Sequence, residues 1–169
     1  VGDACPELDP KLFADEPRVR VFNLEKNHGA GGAAPRNYAL HLAAGELIAY
    51  LDDDNTWESS HVSSLVQALV QHAAGFAFSS MKVDGRDLGF DVPRLRGIDT
   101  SCILHEKGLF ARYGGWKDRK EAGYAHDWEL VERWLAGNER WVATRKPTVL
   151  YNAASSGQAD YLSTLLTGE

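Results

Sequence analysis

The sequence is poor in the residues that build cross-linked or metal-stapled folds. Cys5 and Cys102 are its only cysteines, too few for a disulfide framework or a Cys-rich zinc site. Both are expected to be reduced, structural thiols. Six histidines are scattered along the chain without the short spacings of a ligand set. Among them His41, His61 and His72 fall on predicted helices as surface or packing residues. No apolar stretch approaches the roughly 20 residues that a transmembrane helix needs. Positive charge is also short: 18 Lys and Arg stand against 24 Asp and Glu, a formal net charge of -6. That balance argues against a nucleic-acid partner, which calls for a basic footprint. No signal peptide is visible in a chain that begins at Val1, and the expected setting is cytoplasmic.

What is present suits one globular domain. The chain has 169 residues, 44% apolar and 25% charged, long enough for a buried core. Residues 19–24 alternate as a strand. A helix is predicted over 33–44, with Pro35 in its first turn, Tyr38 and Leu42 on its packing face, and Gly45 as its C-terminal cap. The apolar run 47–51 predicts a buried strand. Val62, Leu65, Val66, Leu69 and Val70 predict a helix over 59–72 that ends at Gly75. Another strand starts at 76–78. Residues 84–97, rich in Gly, Arg and Asp, form a predicted loop. A short strand at 100–104, a short helix over 109–115, a third clear helix over 127–136, and strands at 141–144 and 148–151 follow. The domain is expected to span 1–152, with 153–169 a tail holding a short helix at 161–166. Strands alternating with helices predict an α/β fold with a largely parallel sheet flanked by helices.

The chemistry concentrates at Asp52-Asp53-Asp54-Asn55, directly after the 47–51 strand. The carboxyl end of a buried strand is where open α/β sheets place ligands. Adjacent carboxylates repel, and a divalent cation that prefers hard oxygen ligands, Mg²⁺ or Mn²⁺, supplies the missing charge. The plainer use of the same residues is a solvated acidic turn that caps the next helix. Arg36, near a predicted helix start, suits a phosphate or the edge of a base. Asp127 opens another predicted helix, where the dipole favours negative charge. Its plainer use is an N-cap.

The order of features from Asn27 to Trp57 adds to this. Asn27-x-Gly29, a glycine loop, Ala34-x-Arg36-Asn37, Gly45-Glu46, an apolar strand and residues 51–57 follow one another. This succession resembles the family 2 glycosyltransferases, nucleotide-sugar enzymes of GT-A fold. The resemblance implies that the acidic segment is the family's DxD motif. Asp54 is then the metal ligand, Asp53 meets the ribose or the metal, and Asp52 is structural, turned toward the adjacent helix. His126-Asp127-Trp128-Glu129-Leu130 resembles the family's Glu-Asp-Trp-x-Leu segment, which makes Asp127 the general base, with His126 where Glu is usual. Gly114-Gly115-Trp116 resembles a Gly-Gly-aromatic turn whose aromatic can stack on a sugar; packing is its plainer role. Asp99, in Ile98-Asp99-Thr100-Ser101, falls where the family lines the acceptor side. No His follows the last strand, in Tyr151 to Ser156, so the metal is expected on Asp54 and the donor diphosphate.

Val1-Gly2-Asp3 resembles the end of the family's second strand. Asp3 is thereby placed near the base or ribose, in a domain amino-terminally truncated by its first strand and helix. The implied function is a metal-dependent, inverting glycosyltransferase. It moves a sugar from a nucleoside diphosphate sugar to a saccharide or other hydroxyl acceptor, with the 84–97 and 119–124 loops setting acceptor choice. Two rivals use the same residues: a non-catalytic nucleotide-sugar-binding or scaffold module, and a nucleotidyltransferase.

Overall fold

The computed structural model describes residues 1–95, 97–123 and 125–152. The predicted tail and its helix at 161–166 lie outside the described residues. The elements are α1 (Ala33–Leu42), β1 (Leu47–Ala49), β2 (Thr56–Trp57), α2 (His61–His72), β3 (Phe76–Val83), β4 (Arg86–Leu88), β5 (Ile103–Glu106), α3 (Lys107–Tyr113), α4 (Arg119–Ala122), α5 (His126–Ala136) and β6 (Trp141–Tyr151). Among the described residues the strands form one sheet in the order β1-β5-β3-β6-β2, with β4 hydrogen-bonded to β3.

The central strand β3 shows why helices cover both faces. Side chains alternate across a strand. Phe76 and Phe78 pack with Ile103 of β5 and with Leu130, Val131 and Trp134 of α5. Between them, Ala77 joins Leu104 of β5 against Leu65 and Leu69 of α2. Trp134 is 1% exposed. Truncating a buried residue of that size costs about 3–5 kcal/mol. Cys102 is fully buried, and burial pushes its thiol up. His61 is also buried; it stacks on Trp57 and meets the Thr148 hydroxyl at 2.8 Å.

The α/β class holds, but the sheet is mixed rather than largely parallel. β3 and β6 run parallel, whereas the β1–β5, β3–β5, β3–β4 and β2–β6 pairs are antiparallel. A strand buried on both faces is apolar throughout whichever way it runs, so the pattern is silent on direction. Direction comes from the connections. Asp84 and Gly85, with φ of 48° and 76°, make a tight turn of the kind that joins antiparallel strands. The predicted 84–97 loop therefore opens with the β4 hairpin.

Other boundaries also move. Among the described residues, 19–24 form a single bridge, Asn23 with Gly2, and Val19 stays exposed. α1 stops at Leu42, with Ala43 extended, and not at Gly45. α2 is capped by left-handed Ala73. Gly75 instead begins the pairing with β6 and has its side-chain space filled by Glu139. The predicted 141–144 and 148–151 strands are one strand, interrupted by register shifts opposite Phe78–Met81. The short elements β2 and α4 escape periodicity altogether.

Candidate functional site

Several connections converge on a cavity of about 300 Å³. The glycine loop and α1 contribute Gly31, Gly32 and Arg36 to its wall. The segment after β1 contributes Asp52, Asp53, Asp54 and Asn55. Asp99 and Thr100 come from the turn before β5, Arg119 from α4, His126 and Asp127 from α5, and Tyr151 from β6. Gly31 has φ of 66°, and a Cβ there would sit 2.8 Å from Arg119 Nε and 3.2 Å from His126 Cε1. Only glycine allows α4 and α5 to close on the loop this tightly.

Arg36 organises one part of the wall. Its Nη2 donates to Asp52 Oδ1 at 2.5 Å and its Nη1 to the Gly31 carbonyl at 2.7 Å. The guanidinium lies 4.9 Å from the Trp116 ring centroid, a favourable cation–π arrangement. Asn37 fixes Trp116 by exchanging two hydrogen bonds of 2.8 Å with its backbone. Gly115 makes this possible, since a side chain there would collide with Asn37.

The Thr100–Cys102 3-10 turn links the rest. Asp99 caps it, accepting from Ser101 N at 2.8 Å. Ser101 Oγ accepts from Asp52 N at 3.2 Å and from Asn55 Nδ2 at 3.0 Å. Trp57 Nε1 donates to the Ser101 carbonyl at 2.9 Å. Thr100 Oγ1 donates to Asp127 Oδ1 at 2.8 Å, and His126 Nε2 lies 3.0 Å from the same oxygen.

Among the described residues, five carboxylates share the wall with two guanidinium groups and one imidazole. The imbalance is visible at Asp99. Burial, then the negative charges of Asp127 and Asp52, push its carboxyl from 3.8 up to about 8. Burial is the larger cause, so Asp99 keeps its proton at neutral pH as a neutral member of an acidic wall.

Arg36, Asp53, Asp54, Asp99, His126 and Asp127, all singled out from the sequence, meet here. Asp52 turns to the adjacent helix, as expected. Trp116 is 4% exposed and sits beneath Arg36, behind the wall. Asp3 lies off the wall in the amino-terminal segment, where it accepts from His28 N at 2.9 Å and Gly29 N at 2.9 Å. Asp127 is the second residue of α5 and not its N-cap, a place held by Ala125. Sequence reasoning gave no individual role to Thr100, Ser101 or Tyr151 and reached Arg119 only as the start of the 119–124 stretch. The only signal for the first two was a pair of hydroxyls after Asp99. Arg119 sits in a four-residue helix with no periodicity to read.

Known proteins resemble this chain in sequence and in fold. The chain is 34% identical over 149 residues to the succinoglycan biosynthesis protein ExoO of Rhizobium meliloti (strain 1021), covering 83% of this chain and 40% of that protein. It is 29% identical over 65 residues, 38% of this chain and 26% of the relative, to the UDP-Glc:alpha-D-GlcNAc-diphosphoundecaprenol beta-1,3-glucosyltransferase WfaP of Escherichia coli. The chain therefore spans well under half the length of these relatives. The structure of S. aureus TarS in complex with UDP superposes with a TM-score of 0.67 at 18% identity, over 93% of this chain and 50% of that one. At that identity the likeness is one of fold, the GT-A fold. No helix among the described residues is long and apolar enough to cross a membrane. Residues 3–133 match the description of glycosyl transferase family 2, and the chain belongs to that family.

Proposed function

We propose that this domain carries out metal-dependent, inverting transfer of a sugar from a nucleoside diphosphate sugar to an acceptor hydroxyl. The observation that carries this is the convergence of Asp54 and Asp127, from distant parts of the chain, on one cavity whose described wall is rich in carboxylates. Family membership and the place of ExoO in succinoglycan biosynthesis support a saccharide acceptor.

The donor set fits a hard divalent cation shared with the ligand. Among the described residues no three His, Cys, Asp or Glu side chains gather into a self-sufficient metal cage, while Asp54 lines the cavity. Asp54 would hold Mn²⁺ or Mg²⁺ together with diphosphate oxygens, with Asp53 toward the ribose or the same cation. When bound, such a cation supplies Lewis-acid stabilisation of the departing diphosphate. Arg36 faces the same negative charge. The Asp127 carboxylate takes the proton of the acceptor hydroxyl. That oxygen then forms the new bond to the anomeric carbon from the side opposite the nucleotide, as the bond from carbon to diphosphate oxygen breaks. No covalent intermediate on the protein is required.

The test is Asp127→Asn. It should abolish Mn²⁺-dependent release of UDP from UDP-sugars while leaving UDP binding nearly intact. Retained turnover in the variant would reject Asp127 as the base.

A further inference from the structure

We propose that Thr100 and Ser101 are adjacent positioning residues with divided duties, Ser101 setting the donor-side acidic segment and Thr100 aiming the base. The inference rests on the function proposed above.

Both residues are buried, at 1% and 0% exposure. Their turn is anchored independently of any ligand, by Asp99 at its start, by Cys102 N donating to the Asp99 carbonyl at 3.0 Å and by Trp57 on the Ser101 carbonyl. From that fixed point Ser101 Oγ accepts at both ends of one tight turn: Asp52 N and Asn55 Nδ2. The turn itself is closed by Asn55 N donating to the Asp52 carbonyl at 3.2 Å. Asp53 and Asp54 lie between these two held residues, so a single hydroxyl oxygen sets where they project.

Thr100 acts in the other direction along the same turn. Its hydroxyl and His126 Nε2 both address Oδ1 of Asp127. The second oxygen, Oδ2, is left to receive the acceptor proton, and rotation about the carboxyl axis is opposed by two partners. Hydroxyls suit both tasks because they carry no charge. A further carboxylate would deepen the repulsion already seen at Asp99. A Lys or Arg would cancel the negative charge that the cation and the proton transfer require.

The experiment measures two quantities for Thr100→Val, Thr100→Ser and Ser101→Ala: Mn²⁺-dependent UDP binding by calorimetry, and kcat for hydrolysis of UDP-glucose or UDP-N-acetylglucosamine, with water as acceptor. Thr100→Val keeps the shape and removes the donor. It is expected to lower kcat about 10- to 100-fold, the range for a hydrogen bond to a charged group, with UDP affinity unchanged. Thr100→Ser should restore most of kcat. Ser101→Ala should chiefly weaken UDP binding, by about 2- to 13-fold, the range for a neutral hydrogen bond. If Thr100→Val does not fold, Thr100→Ala against Thr100→Ser makes the same comparison. Wild-type kcat in Thr100→Val, failure of the Ser variant to rescue, or equal damage to binding and kcat by both substitutions would each overturn the division of duties. Asp127→Asn separates the failures. If that variant is inactive while Thr100→Val is normal, only this inference falls. If Asp127→Asn turns over, or the unaltered chain neither binds UDP nor hydrolyses either donor, the proposed function falls with it.

Discussion

Two aspartates in this chain meet opposite treatment. Asp3, in the amino-terminal segment, pays some desolvation, yet the His28 and Gly29 backbone N–H groups and the His28 ring hold its carboxyl below the ordinary 3.8. Asp99, at the cavity, is pushed up to about 8 by burial and by the neighbouring charges of Asp127 and Asp52. The protein has supplied the first with backbone donors and has buried the second beside other carboxylates. A carboxylate satisfied by its own chain has a structural task. Carboxylates crowded together from separate parts of the chain mark a place suited to a cation or a developing positive charge. The contrast explains why Asp3, a candidate for nucleotide contact from the sequence, sits off the cavity wall tying the start of the chain to the glycine loop.

Substitutions at the two places should differ in kind as well as size. The largest effect is expected at Asp127. Removing a general base costs about 10²- to 10⁴-fold in rate, so Asp127→Asn should lose that much turnover with its melting temperature little changed.

Next is the stability of the cavity against pH. Folded, Asp99 keeps its proton up to about pH 8; unfolded, it ionises from about pH 4. Between those values the folded state binds the extra proton, so stability is lost as pH rises. Asp99→Asn should remove this loss. Denaturant unfolding of the variant and the parent at pH 5 and pH 8 should show the variant gaining relative stability at the higher pH, on the order of a few kcal/mol. A constant difference between the two proteins across that range would contradict the assignment.

The smallest effect belongs to Asp3. Its folded value is depressed, so its contribution is present above about pH 4 and disappears as the carboxyl protonates below that. Asp3→Asn should cost under about 1 kcal/mol at pH 7, since solvent screens this exposed cluster, and nothing near pH 2. Turnover at saturating donor should stay within about twofold, because the residue acts on the structure of the segment and not on the reacting atoms.

Much of the cavity could be read directly, because its carboxylates sit at element ends that composition marks clearly. Asp52 to Asn55 end an apolar run, and Asp127 opens a helix whose Leu130, Val131 and Trp134 reveal their buried face. The helices α1, α2 and α5 were legible for the same reason. Strand direction was not, since Phe76 to Val83 is buried on both sides and carries no orientation signal. Also hidden were residues whose importance depends on what the fold brings beside them. Thr100 and Ser101 look like any polar pair until β5 is placed between β1 and β3, where their hydroxyls reach the acidic segment and the base. Trp116 was legible as an aromatic after two glycines, but its place beneath Arg36 depends on Asn37, far away in sequence.

The most direct test of the central claim is calorimetric titration of UDP and GDP into this chain with and without Mn²⁺, repeated with Asp54→Ala. The proposed metal role of Asp54 predicts that one of the nucleotides binds only with the metal, and that Asp54→Ala abolishes this binding while the fold, read by its melting temperature, survives. Equal binding with and without metal, or metal-dependent binding that persists in Asp54→Ala, would contradict it.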